Sequence, residues 1–284
     1  MKCIADVRAT LGEGPVWVAR EQALYWVDIP ERKLFRWSEA EGRATHILEG
    51  HLCSLAPRAA GGFIGAGHEG FLAVGSSLRL TPIGDPEADL PWNRFNDGKV
   101  DREGRFWAGT MDRAERAASG CLYRLDPDLS WTRVDAGYRV TNGPAFSADG
   151  RTMYHTDSAL QRVYAFNLDE AGNAANRRVF LQFGEGDGYP DGMTVDAEDC
   201  LWIAFWDGWC VRRFSPACEC LAEIRVPVQR PTSCAFGGAE LDRLYITSAS
   251  RDLTDEDLAA QPQAGGLFMT LPGVKGLAEP LFAG

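Results

Sequence analysis

The sequence predicts an all-β chain, a six-bladed β-propeller, and three observations carry the fold. One short strand signal recurs six times. Alternating second strands and turn dipeptides fill the intervals between its copies. No window of helical length keeps a 3.6-residue apolar period. The repeated signal is rich in aromatic and β-branched residues and reads Leu24-Tyr25-Trp26-Val27-Asp28, Gly62-Phe63-Ile64-Gly65-Ala66 and Arg105-Phe106-Trp107-Ala108-Gly109. It returns as Met153-Tyr154-His155-Thr156-Asp157, Leu201-Trp202-Ile203-Ala204-Phe205 and Leu244-Tyr245-Ile246-Thr247-Ser248. The lead aromatics Tyr25, Phe63, Phe106, Tyr154, Trp202 and Tyr245 stand 38 to 48 residues apart. That interval holds about four short strands, which is one propeller blade.

The remaining elements follow in order. Lys33-Leu34-Phe35-Arg36-Trp37, Cys121-Leu122-Tyr123-Arg124-Leu125 and Arg162-Val163-Tyr164-Ala165-Phe166 alternate apolar and polar residues, as half-buried strands do. Asn142-Gly143, Asp149-Gly150, Asp191-Gly192 and Asp207-Gly208 read as turns. Asp255 to Ala260 is the best helical candidate, one turn in a loop. A ring with a free edge exposes unpaired backbone groups. The runs Cys3–Val7 and Gly266–Leu271 can close it by entering one blade. No linker or composition break divides the chain, so residues 1–284 are expected to form one domain.

Composition bounds the function. The formal net charge of −11 and the absence of any basic patch argue against nucleic acid and anionic membranes as partners. No stretch approaches the ~18 apolar residues of a membrane span, and Met1–Asp6 lacks the apolar core of a secretory signal. The eight cysteines are expected to be reduced in a cytoplasmic protein; Cys218-Glu219-Cys220 has no second pair at zinc-site spacing. The expected assembly is a monomer or weak homo-oligomer.

Familiar nucleophile and phosphate-binding motifs are missing: no G-x-S-x-G, no H-E-x-x-H, no G-x-x-x-x-G-K. His46, His51, His68 and His155 show no metal-ligand spacing, although His68 follows a strand that can face a central pocket. What stands out is a set of acidic and amide residues at strand starts. Glu13 lies in Leu11-Gly12-Glu13-Gly14-Pro15, Asn96 in Arg94-Phe95-Asn96-Asp97-Gly98-Lys99, Asn142 in Val140-Thr141-Asn142-Gly143-Pro144, and Asp191 in Tyr189-Pro190-Asp191-Gly192-Met193. Taken singly, Asn96, Asn142 and Asp191 read as turn residues. Glu13 does not, because Glu is no turn former, and recurrence of a polar residue at one blade position points to a site. Arg94 and Asn96, two apart in an extended segment, can face one side while Phe95 packs away.

At these residues the chain resembles the senescence-marker-protein/regucalcin/gluconolactonase family. The matching strings run from Leu11–Trp17 through Val27–Pro30, Arg94–Asp101, Gly104–Met111, Thr141–Pro144 and Met153–Ser158 to Pro190–Met193. The resemblance implies a six-bladed propeller with a central metal site, its blade number in agreement with the repeat count. It implies Glu13, Asn142 and Asp191 as ligands of one divalent metal ion, Arg94 and Asn96 as substrate contacts, and Glu115 as a further contact, with Asp112 its rival. Two carboxylates and an amide oxygen are hard ligands suited to Ca²⁺, Mg²⁺ or Mn²⁺, with Zn²⁺ possible. The implied activity is hydrolysis of a sugar (aldono-) lactone by activated water, with Asp191 also taking the proton. The alternatives are a related propeller esterase or phosphotriesterase, and a calcium-binding or interaction propeller without turnover.

Overall fold

A computed structural model describes residues 1–284. Its 24 strands form six four-stranded antiparallel sheets, the six blades of a β-propeller. By packing, the chain divides into two compact units, Met1–Ile47 with Phe183–Ala278, and Leu48–Gln182 with Glu279–Gly284.

The first unit holds three sheets. One runs Gly12–Val18, Ala23–Asp28, Lys33–Ser38, Gly42–Ile47, and another Tyr189–Val195, Leu201–Trp206, Cys210–Phe214, Cys220–Arg225. In the third, Lys2–Ala5 pairs with Leu267–Thr270, which continues into Arg243–Ser248 and Pro231–Gly237. The first and last strands of the chain therefore share one blade, as edge closure demands. Its core joins Trp17, Trp26 and Phe35 to Ala235 and Tyr245, with Trp17 stacked on Tyr245 at 5.7 Å. The second unit holds the sheets that begin at Leu52–Pro57, Asn93–Val100 and Thr141–Phe146. There Trp107, Leu122 and Tyr138 pack against Phe146, Met153 and Tyr164.

The repeated aromatic signal is the second strand of every blade. These strands are buried along nearly their whole length, as in Ala23–Asp28 and Phe106–Asp112, because sheets cover both of their faces. They therefore read as continuous apolar runs. Outer strands such as Gly42–Ile47 and Cys220–Arg225 alternate, with every second residue exposed. The first strand of each blade packs against first strands of neighbouring blades within its unit and forms the inner layer. The helix Asp255–Ala260 falls where the sequence places it, started by a capping box between Thr254 and Asp257.

Two of the four turn dipeptides are not turns. Asp149-Gly150 and Asp207-Gly208 do turn hairpins, closed by Gly150 N to Ser147 O and Gly208 N to Phe205 O. Asn142-Gly143 and Asp191-Gly192 lie inside the inner strands Thr141–Phe146 and Tyr189–Val195. Beside the bulges, Gly143 supplies the left-handed backbone that a turn also uses, and Gly192 supplies room where no Cβ fits. Gly143 sits at φ +75°, and a Cβ on Gly192 would meet Ser233 Oγ at 2.1 Å.

Candidate active site at the bulges of the inner strands

All six inner strands lose register near their start. The breaks lie between Glu13 and Val16, Leu52 and Ser54, Phe95 and Gly98, Asn142 and Ala145, Pro190 and Met193, and Pro231 and Ser233. A bulge re-aims the side chains beside it and frees them from the pleat. Glu13 and Asn142 each immediately precede a bulge, and Asn96 and Asp191 lie within one. Every one of these side chains is buried.

Within the Leu48–Gln182 unit three expected site residues are joined by hydrogen bonds. Arg94 Nη1 donates to Asn96 Oδ1 at 2.7 Å and to Phe95 O at 2.9 Å. Asn96 Nδ2 donates to Thr141 O at 2.7 Å and to Asn142 Oδ1 at 3.1 Å. Asn142 Nδ2 donates to Ser158 Oγ at 2.8 Å. A guanidinium only donates and a backbone carbonyl only accepts, so Asn96 has one permitted orientation. That orientation makes Asn142 present its amide oxygen toward Asn96. Phe95, between the two polar residues, packs into the core against Phe71 and Tyr123, as the alternation requires.

Asp97 is a residue that sequence reading passed over. Its carboxylate accepts from Gly98 N at 2.8 Å and Gly143 N at 3.0 Å, tying the two neighbouring bulges together. Burial pushes its pKa up to about 6, against a smaller downward pull from Lys99. Ser158, which nothing local in the sequence marks, anchors Asn142.

The strand starts are themselves clamped. In the first unit Asp28 accepts from Thr10 N and Leu11 N, just before Glu13. In the second, Asp157 accepts from Arg139 N and Val140 N, just before Asn142. Both aspartates lie 15 residues beyond the residue whose strand they hold (28 − 13 and 157 − 142). Burial raises the Asp28 pKa, and the two backbone bonds oppose the rise.

Glu115 is exposed and at φ +58° in the turn after the strand Phe106–Asp112. Asp112 organises that turn: its carboxylate accepts from the amides of Ala114, Arg116 and Ala117, which hold its pKa below the usual range. All eight cysteines are free thiols. No helix is long and apolar enough to cross a membrane.

Residues 11–250 match the model of the SMP-30/gluconolactonase/LRE-like region, and the chain belongs to that family. It is 39% identical to the 6-deoxy-6-sulfogluconolactonase of Pseudomonas putida over 100% of this chain and 99% of the relative. It is 38% identical to the regucalcin of Gallus gallus, covering 100% of this chain and 98% of that one. Among solved structures, a calcium-binding regucalcin from Agrobacterium tumefaciens superposes with a TM-score of 0.94 at 31% identity, over 99% of this chain and 96% of its own. A gluconolactonase from Xanthomonas campestris superposes with a TM-score of 0.78 at 25% identity, over 94% and 87% of the two chains.

Proposed function

We propose that this chain is a lactonase that opens a sugar (aldono-) lactone to the aldonic acid with the help of one divalent cation. The observation that carries the reading is the Arg94–Asn96–Asn142 relay, in which the two expected substrate contacts lead directly into an expected metal ligand. The full-length similarity to a sulfogluconolactonase supports the reaction class.

The donor set fits a hard cation. Glu13 and Asp191 bring two buried carboxylates, and Asn142 brings an amide oxygen oriented by its neighbours. In this reading Glu13, Asn142 and Asp191 hold the ion. When bound, it supplies Lewis-acid polarisation of the lactone carbonyl and lowers the pKa of water at its open positions. Asp191 takes the proton of the attacking water. The water oxygen bonds to the carbonyl carbon, the bond from that carbon to the ring oxygen breaks, and the ring oxygen receives the proton as a hydroxyl. Arg94 donates to the oxygen that gains negative charge, and Asn96 holds Arg94 in place while reaching a ring hydroxyl. Thr141 O and Ser158 fix the amides so that little reorganisation accompanies the reaction.

The test is acid release from a panel of aldonolactones at fixed pH, before and after chelation, with Ca²⁺, Mg²⁺, Mn²⁺ and Zn²⁺ restored in turn. Turnover lost to the chelator and restored by a metal is the expected outcome. Turnover indifferent to chelation would remove the cation from the mechanism. Metal binding without turnover on any lactone would leave the calcium-binding reading instead.

A further inference from the structure

The strands Asn93–Val100 and Tyr189–Val195 are the two that place their polar residue inside the bulge, and their register is the same. Arg94 pairs with Met111, Phe95 with Thr110 and Gly98 with Ala108; Tyr189 pairs with Trp206, Pro190 with Phe205 and Met193 with Ile203. A single offset of 95 residues carries the first set onto the second (189 − 94 and 206 − 111). Asp101 and Asp196, each bonded to the indole of Trp107 or Trp202, follow the same offset. Tyr189 therefore stands on its strand where Arg94 stands on the other, and Asp191 where Asn96 stands. In the first strand the two side chains meet: Arg94 Nη1 reaches Asn96 Oδ1, while Phe95 turns into the core. The same register puts Tyr189 on the side of its strand that Asp191 uses, with Pro190 buried between them.

Tyr189 is unlike the other tyrosines. Tyr25, Tyr123, Tyr138, Tyr154, Tyr164 and Tyr245 are all buried, and Tyr189 is 43% exposed. The phenols of Tyr25, Tyr123 and Tyr138 bond to Glu21, Glu87 and Asp135, whereas that of Tyr189 has no partner in the protein. Its backbone is nonetheless held. Gly188 before it sits at φ +82°, and a Cβ there would lie 2.7 Å from Gly208 Cα, so the segment is tight against the hairpin at Asp207-Gly208. Trp206, directly opposite Tyr189, is already covered: the Arg230 guanidinium lies over its ring at 4.8 Å and pairs with Asp207 at 2.7 Å. An aromatic ring is thus presented to solvent from a fixed strand start, two residues before Asp191. The expected site otherwise consists of charged and amide groups, Glu13, Arg94, Asn96, Asn142 and Asp191. A sugar lactone carries hydroxyls at its edge and C–H bonds on its faces, and small-molecule sites set a few polar groups among apolar surface. A phenol offers both, an apolar ring face and one hydroxyl that donates and accepts.

We infer that Tyr189 is a substrate-binding residue, its ring packed on the C–H face of the lactone and its hydroxyl bonded to a sugar hydroxyl. The inference rests on the lactonase reading for its substrate and adds a contact from the strand of Asp191.

The experiment compares the wild type with Tyr189→Phe, which removes the hydroxyl and keeps the ring, and Tyr189→Ala, which removes both. Each protein is titrated with metal, assayed for kcat and KM on gluconolactone and on the unsubstituted six-membered lactone, and titrated calorimetrically with gluconate after loading with Ca²⁺ or Mn²⁺. Tyr189→Phe is expected to raise KM for gluconolactone about three-fold and to leave KM for the unsubstituted lactone unchanged, because only the sugar offers a hydroxyl to bond. Tyr189→Ala is expected to raise the gluconolactone KM about ten-fold and to weaken gluconate binding by a similar factor, with kcat within about two-fold of the wild type and the metal retained. Tyr189 is exposed, so neither variant opens a buried void. Unchanged KM and gluconate affinity in Tyr189→Ala would overturn the contact and leave lactone hydrolysis standing. Loss of the metal together with turnover would make Tyr189 a prop for Asp191 and overturn the contact as well. A wild type that hydrolyses neither lactone but binds gluconate through Tyr189 would sink the lactonase reading alone, and one that does neither would sink both.

Discussion

The segment that begins at Asn93 carries two buried aspartates four residues apart, and they do opposite work. Asp101 accepts from Glu103 N, Arg105 N, Arg105 Nε at 2.6 Å and Trp107 Nε1 at 2.8 Å. Its lone pairs are filled, one of them by a guanidinium, and it clasps a turn to the second strand. Asp97 receives two backbone amides and no cationic donor, and burial raises its pKa to about 6. The clasp recurs in the blade that begins at Tyr189. Asp196 accepts from Glu198 N, Cys200 N, Trp202 Nε1 and Arg213 Nε, with its Trp at the same offset of six. There the guanidinium comes from the neighbouring strand, because Cys200 stands where the other blade has Arg105. A carboxylate with every acceptor site filled holds the fold. One that burial leaves short of donors lies at the bulges, where we propose the chemistry.

The sharpest way to break this contrast is Asp191→Ala. If the bulges carry the chemistry, the variant folds, takes up no cation and loses turnover to background, measured by metal titration and lactone hydrolysis. A variant with normal turnover ends the assignment. Next in size are Arg94→Ala and Asn96→Ala. Each should keep the metal and lose kcat/KM by a factor of about 10 to 1000, or roughly 1.4 to 4 kcal/mol of transition-state binding. A fall in melting temperature with normal activity per folded molecule would make both residues structural.

The contrast itself is tested by treating the aspartates alike. Asp97→Asn sets an amide N–H against the donors Gly98 N or Gly143 N, so kcat/KM should fall by about ten-fold per folded molecule, beyond the roughly 1 to 3 kcal/mol of stability that the opposed donors cost. Asp101→Asn leaves the buried Arg105 guanidinium uncompensated and should cost about 2 to 4 kcal/mol of stability with activity per folded molecule retained. Asp196→Asn should match it. If residues 1–284 unfold as one domain, both variants shift a single calorimetric transition; two separable transitions would break that expectation.

Much of the molecule is legible in the sequence because propeller blades repeat. Six aromatic-led signals give the blade number, since a strand packed on both faces has to be apolar throughout. Their place as the second strand of each blade is not legible, because periodicity does not order strands within a sheet. The polar residues at Glu13, Asn96, Asn142 and Asp191 are visible as recurrent oddities at strand starts. Their bulges are not, since Asn-Gly and Asp-Gly serve turns and bulges alike. Asp97 is hidden beside Asn96, because nothing local says that its partner is the amide of Gly143, 46 residues on. The stacking of the His51 and His68 rings, with centroids 3.9 Å apart, escapes for the same reason. It depends on register between two strands, and neither histidine has a spacing that announces the other.

The smallest expected effect concerns His155, on the strand Thr152–Asp157, a buried group on neither side of the contrast. It is fully buried, and neither ring nitrogen has a hydrogen-bond partner. Its ring meets Tyr138 edge-on at 4.8 Å, and the Arg177 guanidinium lies over Tyr138 and Tyr164 at 4.8 and 4.0 Å, itself paired with Asp135. Burial, with a smaller contribution from Arg177, lowers the pKa from 6.5 to about 3. The folded protein therefore keeps this imidazole neutral, while the unfolded chain protonates it as pH falls below about 6.5. The unfolded state binds more protons throughout that window. The stability contribution is complete above pH 6.5 and is lost progressively as pH falls toward 3. His155→Phe keeps an aromatic ring against Tyr138 and removes two orphaned nitrogens, so at pH 7 it should be more stable by about 1 kcal/mol. Its advantage should widen below pH 6.5 by up to roughly 1.4 kcal/mol per pH unit, read from denaturant melts between pH 7 and 4.5. Parallel stability curves for the two proteins would show that His155 takes up its proton in the folded state, and that the pocket beside Tyr138 admits a charge.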